Sequence, residues 1–292
     1  MHRILITIDT EMDADTHWKK NKPVSFTSII DGIPLHLRPI WDKYNVCPIY
    51  FLSPEVVQDE ECCKVIREEI SKGAIIGAHL HPEYIWPDME EAGGISKEKF
   101  PCSDYSYEIE KEKISNLRDL IKERLDVNTV WYRAARFGAD TDTIKILDDL
   151  GFKYDSSFTP GIDWTSKGGQ NHRGIDIYPY QIPGTKIKEY PITILGKRGG
   201  PIRKLLNDNW LFYRWLRPTH MTLIEEKRLL RQLKRMDVHD IVMMFHSEEI
   251  MINKSPYVRN RIMQKYYLWR LEKTVDYAIK IGYESYGLRK EQ

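Results

Sequence analysis

The stretch CPIYFLSPEVVQDEECCKVIREEISKGAIIGAHLHPEY, residues 47–84, decides the fold class. It opens on a short apolar run, passes through a segment with helical spacing that stops at Gly73, and returns to a second apolar run, AIIGAHLH. Two apolar strands joined by a helix are how neighbouring parallel strands read, because a parallel pair needs a long crossover and is covered on both faces. The alternation continues in both directions. RILITID reads as a buried first strand, and EKEKISNLRDLIKERL puts Ile114, Leu117, Ile121 and Leu125 on one helical stripe. VNTVWYRAARFG follows as a strand with a loop, DTDTIKILDDLG as a helix stopped by Gly151, and FKYDSSF as a strand. Residues 159–191 read as excursions around a short strand ending KEYPIT. TLIEEKRLLRQLKRM opens with Thr222 and Glu225 in capping-box spacing and leads into the strand DIVMMFHSEE, and a last helix is expected from about Tyr257 to Ile281. No repeat, low-complexity tract or linker interrupts this order. The expectation is an α/β chain in which residues 1–292 form one domain, a distorted seven-stranded β/α barrel with loop insertions near 83–107 and 159–191.

Composition excludes several roles. The 292 residues are 41% hydrophobic, enough for a large core, and 44 basic against 43 acidic residues leave a net charge of +1. Such a balance gives no field to recruit nucleic acid or an anionic membrane. The opening MHRILITIDTEMD lacks a signal-peptide apolar region, and no apolar run approaches the ~20 residues of a membrane span, so a cytoplasmic protein is expected. Of the four cysteines, Cys62 and Cys63 are adjacent within a helical pattern, while Cys47 and Cys102 show no metal-binding or redox spacing; reduced structural thiols are expected.

In barrels of this kind chemistry sits where strands end. The first strand ends with Asp9 and Glu11, the third with His79 and His81, another with Arg133, and the last with His246. Side chains alternate along a strand, so Asp9 shares a face with Glu11, and His79 with His81. A carboxylate and two imidazoles form a ligand set for a catalytic divalent ion such as zinc. Each residue taken singly has a plainer reading. His-x-His occurs by chance at strand ends, an acidic residue after a strand commonly caps a helix, His246 alone reads as a hydrogen-bonded structural histidine, and Arg133 alone as half of an ion pair. Their arrival in this order on successive strands favours a site.

These motifs together resemble the polysaccharide deacetylases, the NodB-like family also called carbohydrate esterase family 4, from about Ile4 to Gly282. TIDTE matches the family's acidic motif, IGAHLHP its histidine motif, YRAARFG its arginine motif and MMFHSEE its late histidine motif. ILDDLGFKYDSSF and CPIYFLSPEVV also resemble family segments, and ITIDTEMD, GAHLHPE, RAARFG and FHSEE resemble a branch associated with bacterial lipopolysaccharide biosynthesis. Two departures bear on the chemistry. The usual consecutive acids become Asp9-Thr10, a hydroxyl being a poor zinc ligand, so Glu11 is the replacement; and the usual His-x-x-x-His becomes His79-x-His81, with Glu83 as the rival second ligand.

The resemblance implies a hydrolase that removes an N-acetyl group from an amino sugar through one divalent metal ion, zinc, held by Glu11, His79 and His81, with Asp9 as base, Arg133 orienting it and His246 as acid. A backbone N–H of the RAAR loop is the expected oxyanion donor. Arg136, standing where the family has tyrosine, is expected to bind an anionic part of a substrate that is nucleotide-linked, lipid-linked or part of an oligosaccharide, and Tyr84 and Trp86 of the insertion read either as stacking faces for a sugar ring or as aromatic packing on the barrel rim. The aromatic cluster NDNWLFYRWLRP, 207–218, reads as core or partner contact, with a homo-oligomer as the outlying reading. An O-acetyl ester or a non-sugar amide as substrate, and a non-catalytic carbohydrate-binding barrel, are the alternatives.

Overall fold

The computed structural model describes residues 1–20, 22–87, 105–196 and 213–287. Most of the insertion expected at 83–107, with Cys102, and residues 207–212 of the aromatic cluster lie outside them.

The strand-helix-strand unit of residues 47–84 forms as β2 (Ile49–Leu52), the short α2 (Pro54–Gln58), α3 (Glu60–Ser71) and β3 (Ile75–Leu80). Asp59 caps α3 by accepting from the Cys62 N–H at 2.8 Å, and Gly73 takes the left-handed backbone (φ +91°) that lets the chain turn into β3. The remaining strands are β1 (His2–Thr10), β4 (Trp131–Ala134), β5 (Tyr154–Asp155), β6 (Tyr180–Gln181), β7 (Lys188–Glu189), β8 (Ile194–Gly196), β9 (Tyr213–Trp215), β10 (Asp240–His246) and β11 (Tyr283–Ser285). They build a nine-stranded sheet in the order β10-β1-β2-β3-β4-β5-β7-β6, with β11 beside the start of β1, while β8 and β9 pair separately. The fold is therefore α/β with a curled, mainly parallel sheet. Among the described residues the run from β10 to β7 is seven parallel strands, as expected, and two further strands bring the sheet to nine: β6 and β11, two and three residues long, are too short to leave a periodic signal.

The sheet curls until β10 approaches the far side. Residues 192–193 and Leu216 span the gap: Ile192 N–H donates to Phe158 O at 2.9 Å, Thr193 N–H to Val242 O at 3.1 Å, and Met244 N–H to Leu216 O at 3.2 Å. Strand parity then sorts the side chains. Leu5, Phe51, Trp131, Val242 and Met244 pack inside the curl, whereas Ile4, Ile6, Ile8, Tyr50, Leu52, Ile76, Ala78, Leu80, Tyr132, Ile241, Met243 and Phe245 pack outward against helices. Asp9, His79, Arg133 and His246 have the inward parity, so the pattern that buries the strands also aims the polar ends into one cavity.

The helical layer contains α1 (Arg38–Tyr44), α4 (Tyr107–Leu125), α5 (Thr141–Asp149), α6 (Leu223–Arg235) and α7 (Arg261–Lys280). Ile114, Leu117, Ile121 and Leu125 are the buried stripe of α4, and the Thr222–Glu225 capping box is formed at α6. The last helix starts at Arg261 rather than Tyr257, because the Asn260 side chain caps it by accepting from the Met263 N–H at 2.9 Å. A wide π-helical segment, Ser28–Leu37, precedes α1 and has no counterpart in the sequence reading; Gly32 and Pro34 inside it break the helical pattern. Among the described residues no helix is long and apolar enough to cross a membrane.

Gly77 of β3 is required by close approach. A Cβ there would lie 2.4 Å from Cδ1 of Phe51, whose ring in turn carries the Arg133 guanidinium at 4.2 Å. Gly77→Ala is expected to lower stability by about 1–3 kcal/mol, read as an earlier midpoint in urea unfolding. An unchanged midpoint would mean that Phe51 has room to move.

Candidate active site

Register sets the site's frame. Asp9 lies level with His246 across β1 and β10, and His79 level with Arg133 across β3 and β4. Glu11, one residue past the end of β1, and His81, one past β3, keep the inward parity of Asp9 and His79.

Glu11, His79 and His81 converge. Oε1 of Glu11 is 3.2 Å from Nε2 of His79 and 3.3 Å from Nε2 of His81, and all three residues are buried. Nδ1 of His79 lies 3.0 Å from the Arg133 carbonyl oxygen, which accepts only; Nδ1 therefore carries the proton and Nε2 offers its lone pair. Nε2 of His81 is buried without a hydrogen-bond partner, while its Nδ1 faces Oε1 of Glu83 at 3.3 Å. An orphaned imidazole nitrogen, a second nitrogen fixed as a lone pair and a carboxylate oxygen converging on one point fit a divalent transition ion and its N/O preference. Glu83 lies behind His81 and binds Nη2 of Arg136 at 2.7 Å; it does not join the three. With no ion between them, burial alone would raise Glu11, but His81 and Lys20 hold it well below the ordinary carboxylate range, and burial alone would lower His81, but Glu11 and Glu83 push it up to about 10, so that a metal ion would displace the His81 proton on binding.

Asp9 and Arg133 form the second group. Nη1 of Arg133 is 2.5 Å from Oδ1 of Asp9; Nε donates to Ser156 O at 2.9 Å, and Nη2 to Ser156 Oγ at 2.9 Å and Thr7 Oγ1 at 3.0 Å. The guanidinium, fully buried, has a partner at each nitrogen and so fixes the carboxylate's position. Burial alone would raise the Asp9 pKa, but Arg133, with His79 and His246, brings it below its ordinary value. His246 points Nε2 toward Asp9 Oδ2 at 3.9 Å and Glu11 Oε1 at 3.7 Å, and its Nδ1 lies 3.1 Å from Glu249 Oε1. Burial alone would lower its pKa, but the Glu249 hydrogen bond and the Glu11 charge hold it above its ordinary value. Arg217 binds Glu249 and approaches Nδ1 of His246 at 3.1 Å.

Asp9, Glu11, His79, His81, Arg217 and His246 line a cavity of about 580 Å³ whose walls include Trp18, Tyr84, Phe137, Trp164 and Tyr257. Tyr84, stacked on the His81 ring at 5.9 Å, belongs to the wall, but Trp86 does not: it is 66% exposed and outside the cavity. The cause is α4, where Lys113 Nζ donates to Pro82 O and Ile85 O at 2.8 Å each and Asn116 to Trp86 O at 2.9 Å, pulling the chain away from the mouth. Arg136 lines the cavity, yet its guanidinium is engaged by Glu83. In the RAAR loop the Ala134 N–H donates to Ser157 Oγ at 2.9 Å, so it is not available as an oxyanion donor. Sequence reasoning missed Trp18, Lys20, Trp164, Arg217 and the part played by Glu249. Glu249 alone had a local signal, three residues after His246 in FHSEE.

No family model matches the chain, and no curated protein matches it in sequence. Solved structures do resemble it. A Mycobacterium smegmatis protein provisionally assigned as a polysaccharide deacetylase is 15% identical with a TM-score of 0.50, over 100% of this chain and 96% of its own. The 4-alpha-glucanotransferase of Thermococcus litoralis is 12% identical with a TM-score of 0.52, over 98% of this chain and 37% of its own. A polysaccharide deacetylase of Bacillus cereus is 11% identical with a TM-score of 0.47, over 100% of this chain and 94% of its own. At such identities the likeness is one of fold, and the first two proteins carry different assignments on that fold.

Proposed function

We propose that the chain is a metal-dependent hydrolase that removes the acetyl group from an N-acetylated amino sugar. The observation that carries this reading is the meeting of the Glu11–His79–His81 ligand atoms with a fixed carboxylate, Asp9, and an imidazole, His246, in one cavity. Glu11, His79 and His81 would hold the ion, zinc by its donor set, which when bound polarises the acetamide carbonyl and acidifies water. Asp9, kept ionised by Arg133, takes the proton of the water that attacks the carbonyl carbon. As the carbon–nitrogen bond breaks, His246 passes its Nε2 proton to the departing nitrogen, so that acetate and an amine leave. Glu249, itself held by Arg217, orients the imidazole for this transfer through Nδ1. Trp18, Trp164 and Tyr257 supply apolar faces suited to a sugar ring, and about 580 Å³ has room for one. The fold shared with a deacetylase-assigned protein agrees with this reading, and the motif set ITIDTEMD, GAHLHPE, RAARFG and FHSEE supports a place in assembling a bacterial surface polysaccharide such as lipopolysaccharide.

The test is acetate release by zinc-loaded protein from N-acetylated amino sugars offered free, nucleotide-linked and as oligosaccharides, with O-acetylated sugars alongside. Acetate with an equal amount of new primary amine is expected from an N-acetyl substrate. Cleavage confined to O-acetyl esters would overturn the amide reading, and failure to bind metal at all would leave a carbohydrate-binding barrel.

A further inference from the structure

Lys20 reaches into the cavity from the short turn that also carries Trp18. The turn is fastened at both ends. Asp13 accepts from Ser25 Oγ and Thr27 Oγ1 at 2.6 Å each, from Thr27 N–H at 2.9 Å and from Ser28 N–H at 3.1 Å. Ala14 and Lys20 form an antiparallel bridge, and Asp15 Oδ1 accepts from the His17 and Lys19 N–H groups at 2.7 and 2.9 Å. Lys20 is thus delivered by a built hairpin, and its ammonium has three oxygen partners: Met12 O at 2.6 Å, Glu248 Oε1 at 2.9 Å and Glu11 Oε2 at 3.1 Å. Two of the ammonium's three N–H donors are committed to Met12 O and Glu248 Oε1, and its charge pairs with Glu11 Oε2.

The consequence falls on Glu11. Its two oxygens are divided: Oε2 faces the lysine, and only Oε1 faces the nitrogens of His79 and His81. We propose, resting on the metal-site reading above, that Lys20 is a positioning residue that holds Glu11 as a one-oxygen ligand aimed at the two imidazoles. A carboxylate free to swing can offer both oxygens to an ion and fill the position that water needs; a carboxylate tied at Oε2 cannot. The ammonium also offsets the Glu11 and Glu248 charges, which otherwise face each other in a buried site. The function of Glu248, fully buried on the far side of Lys20, follows: it fixes the lysine that fixes the ligand.

The experiment measures zinc affinity of the metal-free full chain by competition with a chromophoric chelator. It uses a His239→Ala background, because His2, Asp237 and His239 also come together at the other end of β1 and can take up a transition ion of their own. Lys20→Met would leave Glu248 facing Glu11 uncompensated, so Lys20→Met with Glu248→Gln is the decisive variant and Lys20→Arg the conservative one. The double variant is expected to bind one zinc with affinity lowered about 10–100-fold, and Lys20→Arg to recover part of the loss. Wild-type affinity in the double variant, whether or not its melting temperature falls, would overturn the proposal and leave Lys20 a structural counter-charge. Failure of the parent protein to bind zinc is a separate result: it would overturn the metal-site reading itself and the proposal with it.

Discussion

Asp9→Asn is expected to lower kcat for acetate release by about 10²–10⁴-fold, with zinc content and KM little changed. The substitution keeps the shape of the side chain and removes its charge and its capacity to take a proton, so a kinetic effect confined to kcat separates a base from a substrate-binding group. Arg133 loses its charge partner but keeps Ser156 O, Ser156 Oγ and Thr7 Oγ1 as acceptors. A lower unfolding midpoint is therefore expected as well, since an unpaired buried charge costs several kcal/mol. Steady-state kinetics together with urea unfolding distinguish the two losses. A variant that turns over at the parental rate would show that another group accepts the proton.

The second large effect concerns the ligands. His81→Ala and Glu11→Ala are each expected to abolish retention of one equivalent of zinc through dialysis and to reduce acetate release to background, measured by elemental analysis and the same assay. Each change leaves two ligand atoms at a site built for three, and each ligand's contribution is large where it is buried and aimed beforehand. Glu83→Ala serves as the contrast. Glu83 reaches the site only through Nδ1 of His81, so weaker binding without loss of stoichiometry is expected. Full zinc retention in Glu11→Ala would mean that the third ligand is some other residue.

Strand ends were the legible part of this molecule. Asp9, Glu11, His79, Arg133 and His246 could be read together because a buried parallel strand announces itself as an apolar run, and its last inward residue is then found by counting in twos. The same logic put Ile114 through Leu125 on a helix face and Thr222 at a helix start. What escaped came from segments without a period. Trp18 and Lys20 enter from a hairpin whose only sequence marks are scattered polar residues, Trp164 from a loop, and Arg217 from beside a strand of three residues. Their places are set by tertiary contacts, such as Asp13 with Ser25, Thr27 and Ser28, that no local pattern encodes. Trp86 fails in the opposite sense: its aromatic character was legible, while the pull of Lys113 and Asn116 that turns its backbone away was not. The helical segment from Ser28 to Tyr44 was hidden by its own Gly and Pro.

The pairing of β1 with β10 sets Asp9 beside His246, although the two stand near opposite ends of the polypeptide. During synthesis the first strand leaves the ribosome long before its neighbour exists, and one of its edges must wait, open, until residue 240 and beyond have emerged. The proposed proton acceptor and donor therefore meet only when β10 pairs, after Glu11, His79, His81 and Arg133 have already been made on or beside β1, β3 and β4. Contacts so distant along the chain also make closure slow. Until then the β10 side of β1 is an unpaired strand edge exposed to other chains.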